Sequence, residues 1–84
     1  MQMIITGEQV RGAMGILRIS RPVVSEGSNV PLRTVQRIAE TDGYPSSNSG
    51  NVVKVAAYLA ERLAVKGYEF TPTGGIDKIK DDKH

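Results

Sequence analysis

Cysteine and tryptophan are absent from this 84-residue chain, and its one histidine is residue 84. Without cysteine there is no disulfide framework, no thiolate metal site and no thiol nucleophile. A lone His84 beyond the last patterned segment offers neither a placed general base nor a metal ligand set. No run of about eighteen apolar residues occurs, so no membrane-spanning helix is expected. The opening MQMIITGEQV lacks the basic region and long apolar stretch of a secretory signal, which makes the cytoplasm the expected compartment. No glycine-rich phosphate loop follows a strand, because Gly12 and Gly15 fall inside a helical pattern. Asp81-Asp82 lies in a tail with no scaffold to hold a metal. The expectation is therefore not an enzyme: no catalytic residue, no cofactor, no metal and no small-molecule ligand.

What is present fits one small domain. A chain of this length buries little core, so dimerisation is an expected source of added stability. The formal net charge is only +2, but the charges are unevenly placed. Arg18, Arg21, Arg33 and Arg37 cluster in a stretch that holds one acid, Glu26, and no lysine precedes Lys54. Arginine presents a planar fork that matches phosphate oxygens and guanine edges, whereas lysine is a point charge. A merely solvated surface is the plain alternative for such a cluster.

Along the chain, Met3-Ile4-Ile5 is a short apolar lead-in to Thr6-Gly-Glu-Gln9, a capping box, with Ile5 placed to staple onto Val10. Val10, Ala13, Met14 and Leu17 recur at helical spacing, which predicts a first helix over 7–17. Gly12 and Gly15 weaken it by about 1 kcal/mol each relative to alanine, and they suit close packing against another helix. Ser20 as cap and Pro22 in the first turn predict a second helix over 21–27. Ser28-Asn29-Val30-Pro31 reads as a tight turn, with Asn29 tolerant of the left-handed conformation and Pro31 pre-set for a new helix. The third helix runs 32–39 with Val35 and Ile38 inward. Residues 40–51, ETDGYPSSNSGN, read as a loop. A long final helix over 52–66 carries Val52, Ala56, Leu59, Ala60 and Leu63 on its apolar stripe and ends at Gly67. Tyr68–Thr71 alternates as a strand, 72–75 is a turn, and 76–79 is a candidate returning strand. The fold class is mainly α: a bundle of four to five helices with a C-terminal strand or hairpin. The domain is placed at 1–76, and 77–84 is assigned to an expected disordered tail.

Two short helices joined by a tight turn, with arginines on the second, form the informative unit. If Val35 and Ile38 face the core, Arg33, Gln36 and Arg37 share the opposite face, because positions three and four apart are neighbours. Leu32 borders it. Arginine fits guanine and glutamine fits adenine in the major groove, each pair giving roughly 1–3 kcal/mol of discrimination, and Leu32 is placed for a thymine methyl. Arg18, Ser20, Arg21 and Thr34 are the candidate phosphate contacts. Tyr44 is a candidate DNA or partner contact and Tyr68 and Phe70 are candidate dimer contacts, with packing inside the monomer as the plainer alternative.

The segment from Ala13 to Glu40, AMGILRISRPVVSEGSNVPLRTVQRIAE, resembles the Cro/phage-repressor-type (Xre family) helix-turn-helix. It is most similar to short bacterial members with an Arg-Thr-(Ile/Val)-Gln-Arg-Ile recognition core, matched here by Arg33-Thr34-Val35-Gln36-Arg37-Ile38. The resemblance extends loosely over residues 3–76. It departs at Arg21-Pro22, where the family usually has glutamine after the cap. It also departs at Asn29 for the turn glycine, at Pro31 for the serine cap and at Ser25 for the helix-two alanine. The resemblance implies a DNA-binding transcriptional regulator, reading duplex DNA as a homodimer on half-sites about 34 Å apart. With no visible effector domain, its regulation would come from concentration, from occlusion of RNA polymerase or from contact with it. The alternative is a protein-binding antagonist, antiactivator or antitoxin-like, that keeps the scaffold without DNA binding.

Overall fold

The computed structural model describes residues 4–45 and 49–79. The chain is mainly helical, with α1 (Gly7–Leu17), α2 (Arg21–Ser28), α3 (Leu32–Glu40) and α4 (Ser49–Val65) followed by strands β1 (Tyr68–Phe70) and β2 (Ile76–Lys78). The strands form an antiparallel hairpin with Tyr68 opposite Lys78 and Phe70 opposite Ile76. Each of α1 and α2 packs on both α3 and α4, and the hairpin closes over α4 and α1. No helix among the described residues is long and apolar enough to cross a membrane.

Local chemistry explains the helix starts. The capping box at Thr6 is complete: the Gln9 amide N–H donates to Thr6 Oγ1 at 3.1 Å, and the Thr6 N–H donates to Gln9 Oε1 at 2.8 Å. Two early donors of α1 are thereby satisfied. Ser20 occupies the cap position of α2 in an extended conformation, yet its hydroxyl makes no capping bond. Pro31 precedes α3 with φ −55°, already near helical. Both α1 and α2 end on non-glycine residues in the left-handed region, Arg18 at φ 57° and Asn29 at φ 59°. Asparagine tolerates that region; arginine is a less ordinary occupant, and nothing in its sequence setting announced it.

Several boundaries differ from the sequence expectation. Helix α3 includes Glu40, and α4 starts at Ser49 rather than Val52 and ends at Val65. The connection expected over 40–51 therefore shrinks from both ends, to 41–48. Residues 46–48 within it lie outside the described residues. Strand β2 crosses the boundary at which the tail was expected to begin. Met3, Asp81, Asp82 and His84 also lie outside the described residues.

The core gathers Ile5, Val10 and Ala13 with Val24, Val35 and Ile38, set against Val52, Ala56, Leu59 and Leu63 of α4. Val55 is fully buried as well, although the simplest apolar stripe omits it, while Ala60 is only half-buried. Gly12 faces the Ile76 side chain of the hairpin, and Gly15 meets open space. The expected helix–helix approach at these two glycines is not what they serve. The close approaches occur at Gly7, against the Ile38 and Thr41 carbonyls, and at Gly27, against the Tyr58 ring.

Gln9 has a second task. Its Nε2 donates to the Thr71 carbonyl at 3.1 Å and the Gly75 carbonyl at 2.9 Å, fastening the hairpin turn to α1. Replacing Gln9 with alanine leaves these carbonyls and the Thr6 N–H without that partner. The expected loss is about 1–2 kcal/mol, read by circular dichroism as a melting point lower by roughly 5–15 °C.

Glu8 fixes the loop after α3. The Gly43 N–H donates to its carboxylate at 2.8 Å, while the Gly7 N–H donates to the Gly43 carbonyl at 3.0 Å. The bond from Gly43 is the main reason the Glu8 carboxyl sits below its ordinary value. A depressed carboxyl pKa contributes stability above the unfolded value, about 4.3, and loses it as pH falls through the folded value. Melting curves of wild type and Glu8→Gln are therefore expected to differ at neutral pH and to converge only in acid, as the pH falls through the lowered folded value.

Candidate nucleic-acid interface

Helix α3 is strongly two-faced. Val35, Ile38 and Ala39 are buried, whereas Arg33, Gln36 and Arg37 are exposed and Leu32 is 38% exposed at the rim. The spacing brings the four candidate base-reading residues onto one side of the helix. Neither Arg33 nor Arg37 forms an ion pair among the described residues. Both forks are thus presented outward on a helix anchored from below.

The turn that sets this helix is held by a residue at which the sequence departs from its family resemblance. Ser25 donates its hydroxyl to the Val30 carbonyl at 2.6 Å, and the Val30 N–H donates back to the Ser25 carbonyl at 3.2 Å. Alanine at position 25 would supply only the second bond. Ser28 donates to the Val24 carbonyl at 2.6 Å, satisfying a buried hydroxyl at the end of α2. Left-handed Asn29 and Pro31, whose φ is near helical while its ψ is 142°, complete the reversal.

The candidate phosphate contacts are less unified. Arg18 and Ser20 are exposed in the α1–α2 connection. Thr34 is half-buried, off the Arg33–Arg37 stripe. Arg21 is already engaged: its guanidinium donates to Glu40 Oε2 at 3.0 Å, joining the start of α2 to the end of α3. Sequence reasoning missed this partner, although Glu40 stands seven residues beyond Arg33 and three beyond Arg37, the spacing of a shared helix face. It also missed Arg11, which donates to the Ala39 carbonyl at 2.6 Å and so satisfies the end of α3.

The tyrosines fall into two groups. Tyr44 is 58% exposed in the loop after α3. Tyr68 and Phe70 pack against the core, and Tyr58 lies half-buried under the Arg62 guanidinium, 5.8 Å from its ring centre. No group of three His, Cys, Asp or Glu among the described residues is arranged to hold a metal ion. No family model, curated protein or solved structure matches this chain, so no relative assigns these residues a role.

Proposed function

We propose that the chain is a sequence-specific, duplex-DNA-binding transcriptional regulator, a diverged short member of the Cro/phage-repressor type. It would read the major groove with residues 32–39. The observation that carries this reading is the exposed face of α3, where Arg33, Gln36 and Arg37 stand together without an ion-pair partner among the described residues. These side chains match guanine and adenine edges, and Leu32 at the rim suits a thymine methyl. Arg18, Ser20 and Thr34 would meet phosphate; Arg21, the fourth phosphate candidate, stands engaged by Glu40. The protein would act in the cytoplasm as a homodimer on two-fold-related half-sites.

A second reading, a protein-binding antagonist on the same scaffold, is favoured by one observation. Val65 is 82% exposed and borders a groove shared with Leu17, Ile19, Arg62 and Lys66, with Ile16 also exposed on α1. Apolar surface of this kind serves protein contacts.

Fluorescence anisotropy separates the two readings. The protein is titrated against duplex from upstream of its own gene and against a scrambled duplex, at two salt concentrations. A DNA reader prefers the native duplex and loses affinity steeply with salt, because each phosphate contact releases counterions. An antagonist binds neither, and a selection from random duplex then also returns nothing.

A further inference from the structure

We propose that Glu40 sets the strength of sequence-independent DNA binding: by holding Arg21, it withholds one cation from contact with the DNA backbone. The inference rests on the DNA-binding reading above and deepens it. Glu40 closes the same helical stripe that carries Arg33, Gln36 and Arg37. A carboxylate there faces the direction from which a polyanion approaches, and its side chain is 64% exposed. Left alone it would repel phosphate. It is instead neutralised by Arg21 at 3.0 Å, whose side chain is 34% exposed.

The pairing spans two elements. Arg21 begins α2 and Glu40 ends α3, so the ion pair bridges the two helices of the reading unit. Phosphate contacts supply affinity without sequence information, while base-edge contacts supply discrimination. Glu40 therefore subtracts from the first and leaves the second intact, because Arg33, Gln36 and Arg37 are untouched by it. Specific and non-specific affinity fall by the same factor, and the preference for the specific sequence is left to the base contacts.

The test uses the full chain with Glu40→Gln, Arg21→Ala and the double variant, each titrated against the upstream and scrambled duplexes over a range of salt. Glu40→Gln is expected to bind the scrambled duplex roughly 5- to 10-fold tighter near 0.1 M salt, the effect of about one added phosphate contact. Its plot of log affinity against log salt should steepen by about one. The gain should vanish in the double variant, and in Glu40→Gln the upstream duplex should gain by the same factor, leaving the preference for it unchanged. Because an exposed pair contributes little to stability, all three variants should melt within a few degrees of wild type. Scrambled-duplex binding by Glu40→Gln that is equal to or weaker than wild type overturns the proposal, since Glu40 would then be inert or would aim Arg21 at phosphate. Specific binding by wild type, unmoved by Glu40→Gln, overturns this proposal alone. Absence of binding by every protein overturns the DNA-binding reading and this proposal with it.

Discussion

Gly7→Ala is expected to destabilise the domain by about 3 kcal/mol or more, the upper part of the range for overpacking. The reason is the first turn of α1 pressed against the end of α3. A Cβ at position 7 would lie 1.9 Å from the Thr41 carbonyl oxygen and 2.7 Å from that of Ile38. Both obstacles are backbone, and no side-chain rotation relieves them. Thr41 is itself held, its N–H donating to the Ile38 carbonyl at 3.2 Å and its hydroxyl to the Arg37 carbonyl at 2.7 Å. Relief requires α1 to move away from α3, which loosens the Gly7–Gly43 bond and the seat of Glu8 together. For a domain of this size the melting point should fall by roughly 12–25 °C. Gly15→Ala is the control, because a Cβ there meets nothing within 4 Å. It should be neutral or raise the melting point, since alanine favours helix by about 1 kcal/mol over glycine.

The second large effect concerns binding. The Arg33→Ala/Arg37→Ala double variant is expected to lose about 2–4 kcal/mol of affinity for its specific duplex, roughly 30- to 1,000-fold in Kd. The two positions are one turn apart, so their individual costs of about 1–3 kcal/mol will not simply add. Both side chains are exposed, and circular dichroism should show the fold unchanged. Arg33→Lys/Arg37→Lys sharpens the test. It keeps the charge and loses the fork, so affinity for scrambled duplex should persist while the preference for the specific sequence disappears. Wild-type discrimination in either double variant would remove α3 from the reading role.

Helical periodicity and capping made the architecture legible. Thr6-Gly-Glu-Gln9 announced the start of α1, and Val35 with Ile38 announced the inward face of α3, because both signals are local. The α4 start was less legible, since the Ser-, Asn- and Gly-rich stretch before Val52 reads as loop although Ser49–Asn51 are helical. The contacts that set the candidate interface were hidden for a different reason. Arg21 finds Glu40 nineteen residues on, Arg11 finds Ala39, and Ser25 bonds the carbonyl of Val30. None has a periodic signature; the first two depend on two elements meeting, and the third on the shape of the turn after α2. Gly27 shows the same limit, since nothing nearby in sequence says that Tyr58 will occupy the space a Cβ would take.

The bond from Gln9 to the hairpin turn also bears on the order of assembly. It joins residues 62 and 66 positions apart, whereas the Ser25–Val30 bond spans five and the Arg21–Glu40 bond nineteen. Contacts between near neighbours along a chain close early, and distant ones wait until the entropy of a long loop has been overcome. The α2–α3 unit can therefore take shape from its own neighbourhood, whereas the docking of the hairpin, like the packing of α1 on α4, waits for the two ends of the chain to meet.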